Sequence, residues 1–264
     1  MIVTGFALWL ASAEDSNAEL LRTGGTGSTV ETLRRLGVAF TKIEPGTRIE
    51  VVAGLGSSGG IAAVAAGAID FSISGRPLGA ADDQALKASV IARTPFGLAS
   101  SHPNPGDVRS VDVADLFGSA TAVWADGKPV RPVLRPKSDS DSLLLVRLFP
   151  KLAASLEKLR QRAEVPVAAT DQDNATVAEQ LAGSLTGMTL AQLQTENRQL
   201  HWVSVDGVMP TLQNLENGAY PHGKDIYLVV SSRATPALDR FRAFLGSSEG
   251  QKVLRENGSL PVQP

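Results

Sequence analysis

Three short stretches rich in Gly, Ser and Thr stand directly before helical patterns: Thr26 to Thr29 in "LRTGGTGSTVETLRRL", Ser57 to Gly60 in "GLGSSGGIAAVAAGAI", and Ser138 to Ser142 in "KSDSDSLLLVRLF". A helix start leaves its first backbone N–H groups unpaired and carries about half a positive charge from the aligned peptide dipoles, so it attracts anions. Hydroxyls at Thr26, Ser28, Thr29, Ser57, Ser58, Ser138 and Ser140 add donors there, and Gly27 lets a ligand approach the backbone. Taken singly, each turn reads equally well as an ordinary helix cap; together they suggest a site for an oxyanion. Arg76 follows the strand pattern "DFSIS" and Arg135 ends "VRPVL", where a planar guanidinium can present paired donors to the same anion. Either arginine can instead be an ordinary surface group.

Other chemistries fail on spacing or composition. "GGTGSTVE" lacks the Gly-Lys-Ser/Thr ending of a nucleotide phosphate loop and the G-x-G-x-x-G spacing of a dinucleotide turn. "GSSGG" does not match the G-x-S-x-G of a hydrolase elbow, and His102, His201 and His222 lie in segments that read as loop or strand edge. No enzymatic role is therefore expected, and no cofactor or metal. The absence of cysteine excludes disulfides, thiolate metal sites and the lipid-bearing Cys of a bacterial lipoprotein. A formal net charge of -2 shows no nucleic-acid footprint.

The elements that must position these turns alternate between strand and helix, which argues for α/β layers with parallel strands and a ligand beyond the strands' C-terminal ends. "ELLRTGG", "TRIEVV" and "DFSIS" read as strands, Ser28 to Phe40 and "SSGGIAAVAAGAI" as helices. The middle of the chain reads as a strand, a Pro-rich loop and a short helix, then an extended "KPVRPVLRP" with the features of an edge strand. The helices "SLLLVRLF" and "LAASLEKLRQRAE" follow. "TDQDNATVAEQLAGSLTGMTLAQL" reads as another polar turn and helix capped by Asp or Asn, "KDIYLVVSS" as a strand, and "ATPALDRFRAFLGSSEGQKVLRENG" as a closing helix. Asp70 reads as structural, at a strand end. The opening "MIVTGFALWLASA" reads as the apolar core of a signal peptide with cleavage after Ala13, or else as a buried N-terminal element. No other apolar stretch reaches the roughly 18 residues needed to cross a bilayer.

At the level of motifs, "GGTGSTV", "GLGSSGGIAAVAAGAIDFSISGRPL", "VDGVMPTLQNLENGAYP" and "FLGSSEGQKVLRENGSLPV" resemble, in order, blocks of the phosphate-binding proteins of ABC phosphate uptake. The likeness runs from about Leu20 to Val262 and is weak between Asp107 and Gln199. It implies the two-lobed type II periplasmic-binding-protein fold, each lobe a mainly parallel sheet flanked by helices. Residues 20–97 with 220–264 would form lobe I, 98–219 lobe II, and 1–13 the signal peptide. Crossings between the lobes are expected near Arg93 to Ser100 and near Asn214 to Pro221. It further implies an exported, periplasmic, monomeric solute-binding protein, not an enzyme, that hands a small phosphate-like oxyanion to an ABC transporter permease or a membrane sensor. Ligand contacts would come from Thr26, Gly27, Ser28, Thr29, Ser57, Ser58, Ser74, Gly75 and Arg76 on lobe I, and from Arg135, Ser138, Asp139, Ser140 and Asp141 on lobe II.

Two departures from the family stand out. Its Gly-Ser-Gly-Thr turn is Ser138-Asp139-Ser140-Asp141 here, and the residue after Ser74, a carboxylate in some members, is Gly75. Two ionised, desolvated carboxylates repel a dianion by several kcal/mol each. Asp139 and Asp141 either point away from an intact phosphate site, or accept hydrogen bonds from a protonated, hydroxyl-bearing or amine-bearing ligand, or mark a sensory or interaction module with no anion site.

Overall fold

A computed structural model describes residues 18–149, 151–233 and 235–262; the expected signal segment lies outside these described residues. Strand β1 (Glu19–Gly25) leads through a turn into helix α1 (Val30–Ile43), β2 (Thr47–Val52), α2 (Gly56–Ala65) and β3 (Phe71–Ser74). The long strand β4 (Lys87–Ser100) is followed by β5 (Asp107–Val108), α3 (Val113–Gly118) and β6 (Arg131–Pro132). Next come α4 (Ser140–Leu148), α5 (Leu152–Leu159), α6 (Asp171–Gln180), β7 (Ser184–Thr189), α7 (Leu190–Thr195), β8 (His201–Val205) and α8 (Leu212–Glu216). Strand β9 (Gly223–Val230), α9 (Pro236–Gly246), α10 (Ser248–Glu256) and β10 (Leu260–Pro261) complete the described chain.

The sheet order is β2-β1-β3-β9-β4-β7-β6, with β10 and β8 also on β4 and β5 on β8. The strand–helix units pair in parallel, as β1 does with β2 and β3, β6 with β7, and β5 with β8. Antiparallel pairing enters through β4 and β9, which run together from Lys87 to Pro95, and β4 then continues into pairing with β7 and β8.

That continuation separates two lobes. The first core gathers Leu33, Phe40, Phe71, Phe241 and Phe244 around Ala92, Ile226 and Leu228; the second gathers Phe117, Phe149, Leu152 and Leu185 around Phe96, Leu98 and Tyr220. Strand β4 therefore leaves the first core after Ala92 and enters the second at Phe96, while the chain returns between Tyr220 and Ile226. The buried Tyr220 hydroxyl donates to the Phe96 carbonyl at 3.0 Å, which ties the two passages together.

Helix α1 buries Val30, Leu33, Leu36 and Phe40, the stripe that its spacing demands. Before it, Gly25 adopts φ +146, and a Cβ there would lie 1.8 Å from the Ile73 carbonyl oxygen. Only glycine lets the chain pass so close to β3 before turning into the helix.

Several sequence expectations are corrected. The C-terminal helix is two helices, because Ser247 ends α9 by donating to the Phe244 carbonyl at 2.7 Å and starts α10 by accepting from Gly250 N–H at 3.2 Å. The stretch "KPVRPVLRP" pairs as a ladder only at Arg131 and Pro132, shorter than its extended pattern suggests, and it does lie at the end of the sheet order, as its prolines imply. Strand β7 escapes a period-two search because all of its six residues are buried, so no polar alternation marks it. Finally, α6 is capped by Thr170, not by Asp or Asn: its hydroxyl accepts from Asp173 N–H at 3.0 Å and its own N–H donates to the Asp173 carboxylate at 3.1 Å.

Candidate functional site

The three polar turns meet where the lobes face each other. Thr26, Ser28 and Thr29 are buried at the start of α1, with the Thr26 and Ser28 hydroxyls 3.1 Å apart. Ser57 accepts a hydrogen bond from Gly75 N–H at 3.0 Å, which joins the start of α2 to the end of β3. From the second lobe come Arg135, Ser138 and Asp139, then Ser140 and Asp141 at the start of α4. The start of α6 also arrives here, with Gln172 donating to the Gly27 carbonyl at 3.0 Å. Gly27 admits that approach, since a Cβ on it would stand 2.5 Å from an Asp171 carboxyl oxygen.

A residue that sequence reasoning read only as part of a strand lies at the centre. Lys224, 1% exposed, brings its ammonium within hydrogen-bond reach of Thr26 at 3.4 Å and Ser28 at 3.3 Å, and pairs directly with Asp141. Burial pulls its pKa down, but Asp141, Asp171 and Asp139 outweigh that and hold it above the ordinary lysine value. Gly75 makes room for it: a Cβ there would lie 2.2 Å from Lys224 Cε and 2.8 Å from Nζ. Gly75 and Asp141 thus meet at one lysine, the first giving it room and the second its charge partner. The signal in the sequence was a Lys at the head of the strand pattern "KDIYLVV", two residues before its apolar run.

Both candidate arginines are already engaged. Arg76 donates to Asp82 through both Nη atoms, at 2.7 and 3.0 Å, and to Ser58 through Nε at 3.2 Å, so it does not aim its fork into the cleft. The Arg76 hydrogen bonds draw the Asp82 pKa down to about 2. Ser74 is spent locally, donating to the Arg76 carbonyl at 2.7 Å. Arg135 is buried; it donates to the Ala168 carbonyl at 2.8 Å and to Asp139 at 2.7 Å, while its Nε has no acceptor among the described residues. Asp139 caps α4 by accepting from Asp141 N–H at 2.9 Å, and burial raises its pKa.

Between these groups lies a cavity of about 200 Å³, lined by Ser57, Ser58, Arg135, Ser138, Asp139 and Asp171 among others. Asp171 was not singled out from the sequence. Its residue is 5% exposed, no hydrogen bond reaches its carboxyl oxygens among the described residues, and Arg135 Nη2 stands 3.8 Å away. Burial, followed by the charge of Asp141, raises its pKa to about 7. Opposite, α2 begins at Leu55 and Gly56 with no side-chain cap, so its first N–H groups have no side-chain acceptor. Among the described residues no group of three or more His, Asp or Glu side chains is arranged to hold a metal ion.

These features define a two-lobed α/β protein with a polar cleft between the lobes. The chain belongs to the family described as the PBP superfamily domain, which matches residues 11–249. No curated protein sequence matches it. Among solved structures it is similar to a protein described as a phosphate ABC transporter substrate-binding protein with bound phosphate, from Clostridium perfringens. That match has a TM-score of 0.80 and 19% identity over 93% of this chain and 100% of the other. An ABC-type phosphate transport receptor from Vibrio cholerae matches with a TM-score of 0.64 and 16% identity, over 92% and 100%. The reduced form of OxyR from N. meningitidis matches with a TM-score of 0.61 and 10% identity, over 92% and 99%. The fold is the type II periplasmic-binding-protein architecture. Among the described residues no helix is long and apolar enough to cross a membrane.

Proposed function

We propose that the protein is an exported solute-binding protein that closes its lobes over a small, phosphate-like oxyanion and delivers it to an ABC-type transporter. The observation that carries this reading is the uncapped start of α2, with Ser57 and Ser58, facing the buried Arg135 across a cavity between the lobes. Unpaired N–H groups and hydroxyls on one lobe, with a cation on the other, give an anion a reason to prefer the closed arrangement over the open one. Two structural neighbours, one with bound phosphate and one a phosphate transport receptor, support the oxyanion class.

A second reading is favoured by Lys224. Its pairing with Asp141 joins β9 of the first lobe to α4 of the second without any solute, as a sensory or interaction module with a self-satisfied cleft would require. Thermal unfolding and titration calorimetry of the chain from Glu14 onward, against phosphate, sulfate, arsenate and small organophosphates, separate the two. A solute at about 100 times its Kd adds roughly 2.7 kcal/mol of stability and raises Tm visibly. Silence across the whole panel rejects the solute-binding reading.

A further inference from the structure

The cavity has two walls of opposite chemistry. On one side α2, ten residues long, presents its uncapped start with the hydroxyls of Ser57 and Ser58. That wall seeks an acceptor, best a charged one. On the other side stands Asp171, its side chain 7% exposed, with no hydrogen-bond donor among the described residues and Arg135 Nη2 3.8 Å away. That wall seeks a donor, because a buried carboxylate without hydrogen bonds is costly.

The surrounding charges sharpen the contrast. Lys224 on β9 is paired with Asp141 on α4, and Arg135 lies 2.7 Å from Asp139 and 3.8 Å from Asp171, so two cations face three carboxylates. Asp171 at the start of α6 is the charge left over. A simple anion would satisfy α2 and aggravate Asp171. A solute with an oxyanion at one end and an ammonium at the other satisfies both walls and adds no net charge to the cleft. Space agrees: about 200 Å³ is room for roughly six or seven waters at about 30 Å³ each, more than inorganic phosphate fills.

We propose that the cavity binds a small zwitterion of the aminoalkyl phosphonate or phosphate-ester class, its oxyanion on the start of α2 with Ser57 and Ser58 and its ammonium on Asp171. This rests on the oxyanion-binding reading above and narrows it. Burial brings the Asp171 pKa to about 7, so its carboxylate is the dominant form above that pH and is lost below it. The amine-bearing solute therefore binds more weakly as pH falls through about 7, whereas an amine-free oxyanion gains from the same protonation.

The test is titration calorimetry of the full chain at pH 8 and pH 6 with 2-aminoethylphosphonate, ethylphosphonate and inorganic phosphate. The expected result is a preference of about tenfold or more for the amine over ethylphosphonate at pH 8, shrinking at pH 6, as loss of one charged partner demands. In Asp171→Asn, with its fold checked by circular dichroism, the preference for the amine disappears. Equal or tighter binding of ethylphosphonate or phosphate at pH 8 overturns the zwitterion assignment and leaves the oxyanion reading standing. So does a preference that survives Asp171→Asn. Binding of none of the three overturns both.

Discussion

The inner and outer halves of the cleft are built from the same kinds of residue and end in opposite states. Inside, the Lys224 ammonium meets Thr26, Ser28 and Asp141, and every one of these polar groups has a partner. Outside, the start of α2 has no side-chain cap, and Asp171 has no hydrogen-bond donor among the described residues, only Arg135 at 3.8 Å, where both line the cavity. Buried charge is stable only when paired and hydrogen-bonded. The inner half therefore acts as structure that joins the lobes, and the outer half as the place where a solute adds something the protein lacks. The family resemblance put the whole set of turn residues into one site, whereas the geometry divides them by whether their valences are filled.

The largest expected effect comes from breaking the inner half. Lys224→Met leaves Asp141 buried without its cation and should destabilise by about 3–5 kcal/mol; the double variant Lys224→Met with Asp141→Leu should recover most of that loss. Urea unfolding of the two variants and the parent checks it, and equal losses in single and double variants would deny the coupling.

In the outer half, Asp171→Asn should stabilise the unliganded protein at pH 8, on the order of 3 kcal/mol, the scale for a buried polar group left unsatisfied. The sign follows from the raised pKa. Asp171 titrates at about 7 in the folded chain and near 3.9 when unfolded, so its contribution to stability is complete below about pH 4 and is lost as pH rises through 7. The variant should thus match the parent at pH 4 and exceed it at pH 8 in Tm, and a constant offset at both would show that Asp171 is not the titrating group.

A smaller effect of about 2 kcal/mol is expected for Gly75→Ala, since its methyl group overlaps the Lys224 stem and must push it. The loss should largely vanish when Lys224→Ala, which removes the stem as far as Cβ, is also present, measured by the same unfolding. The smallest, about 1 kcal/mol, belongs to Thr170→Ala, which removes the cap that sets Asp171 at the start of α6. If the cap positions Asp171, affinity for an amine-bearing solute should fall along with Tm; a fall in Tm alone would separate the cap from the site.

Legibility followed how local each signal was. The strands and helices around Thr26, Ser57 and Ser138 could be read because glycine turns, caps and apolar spacing act within a few residues. Strand β7 was missed because complete burial removes alternation, and the break at Ser247 because a single serine served as an end and a start at once. Of the candidate contacts, Gly27, Ser57, Ser58, Arg135, Ser138, Asp139 and Ser140 line the cavity. Arg76 was legible as a cation but not as the partner of Asp82, since the choice among carboxylates is made by the loop between them.

By itself the sequence determined the α/β class, the first strand–turn–helix units and the collection of anion-seeking helix starts, because all of these rest on neighbours along the chain. Only the tertiary structure decided that Lys224 would enter the space beside Gly75, that Asp141 would meet it there, and that Asp171 would be left over. Those three facts depend on groups many residues apart being desolvated together, and the energy of a buried charge is set by what surrounds it in space, not by what stands next to it in sequence.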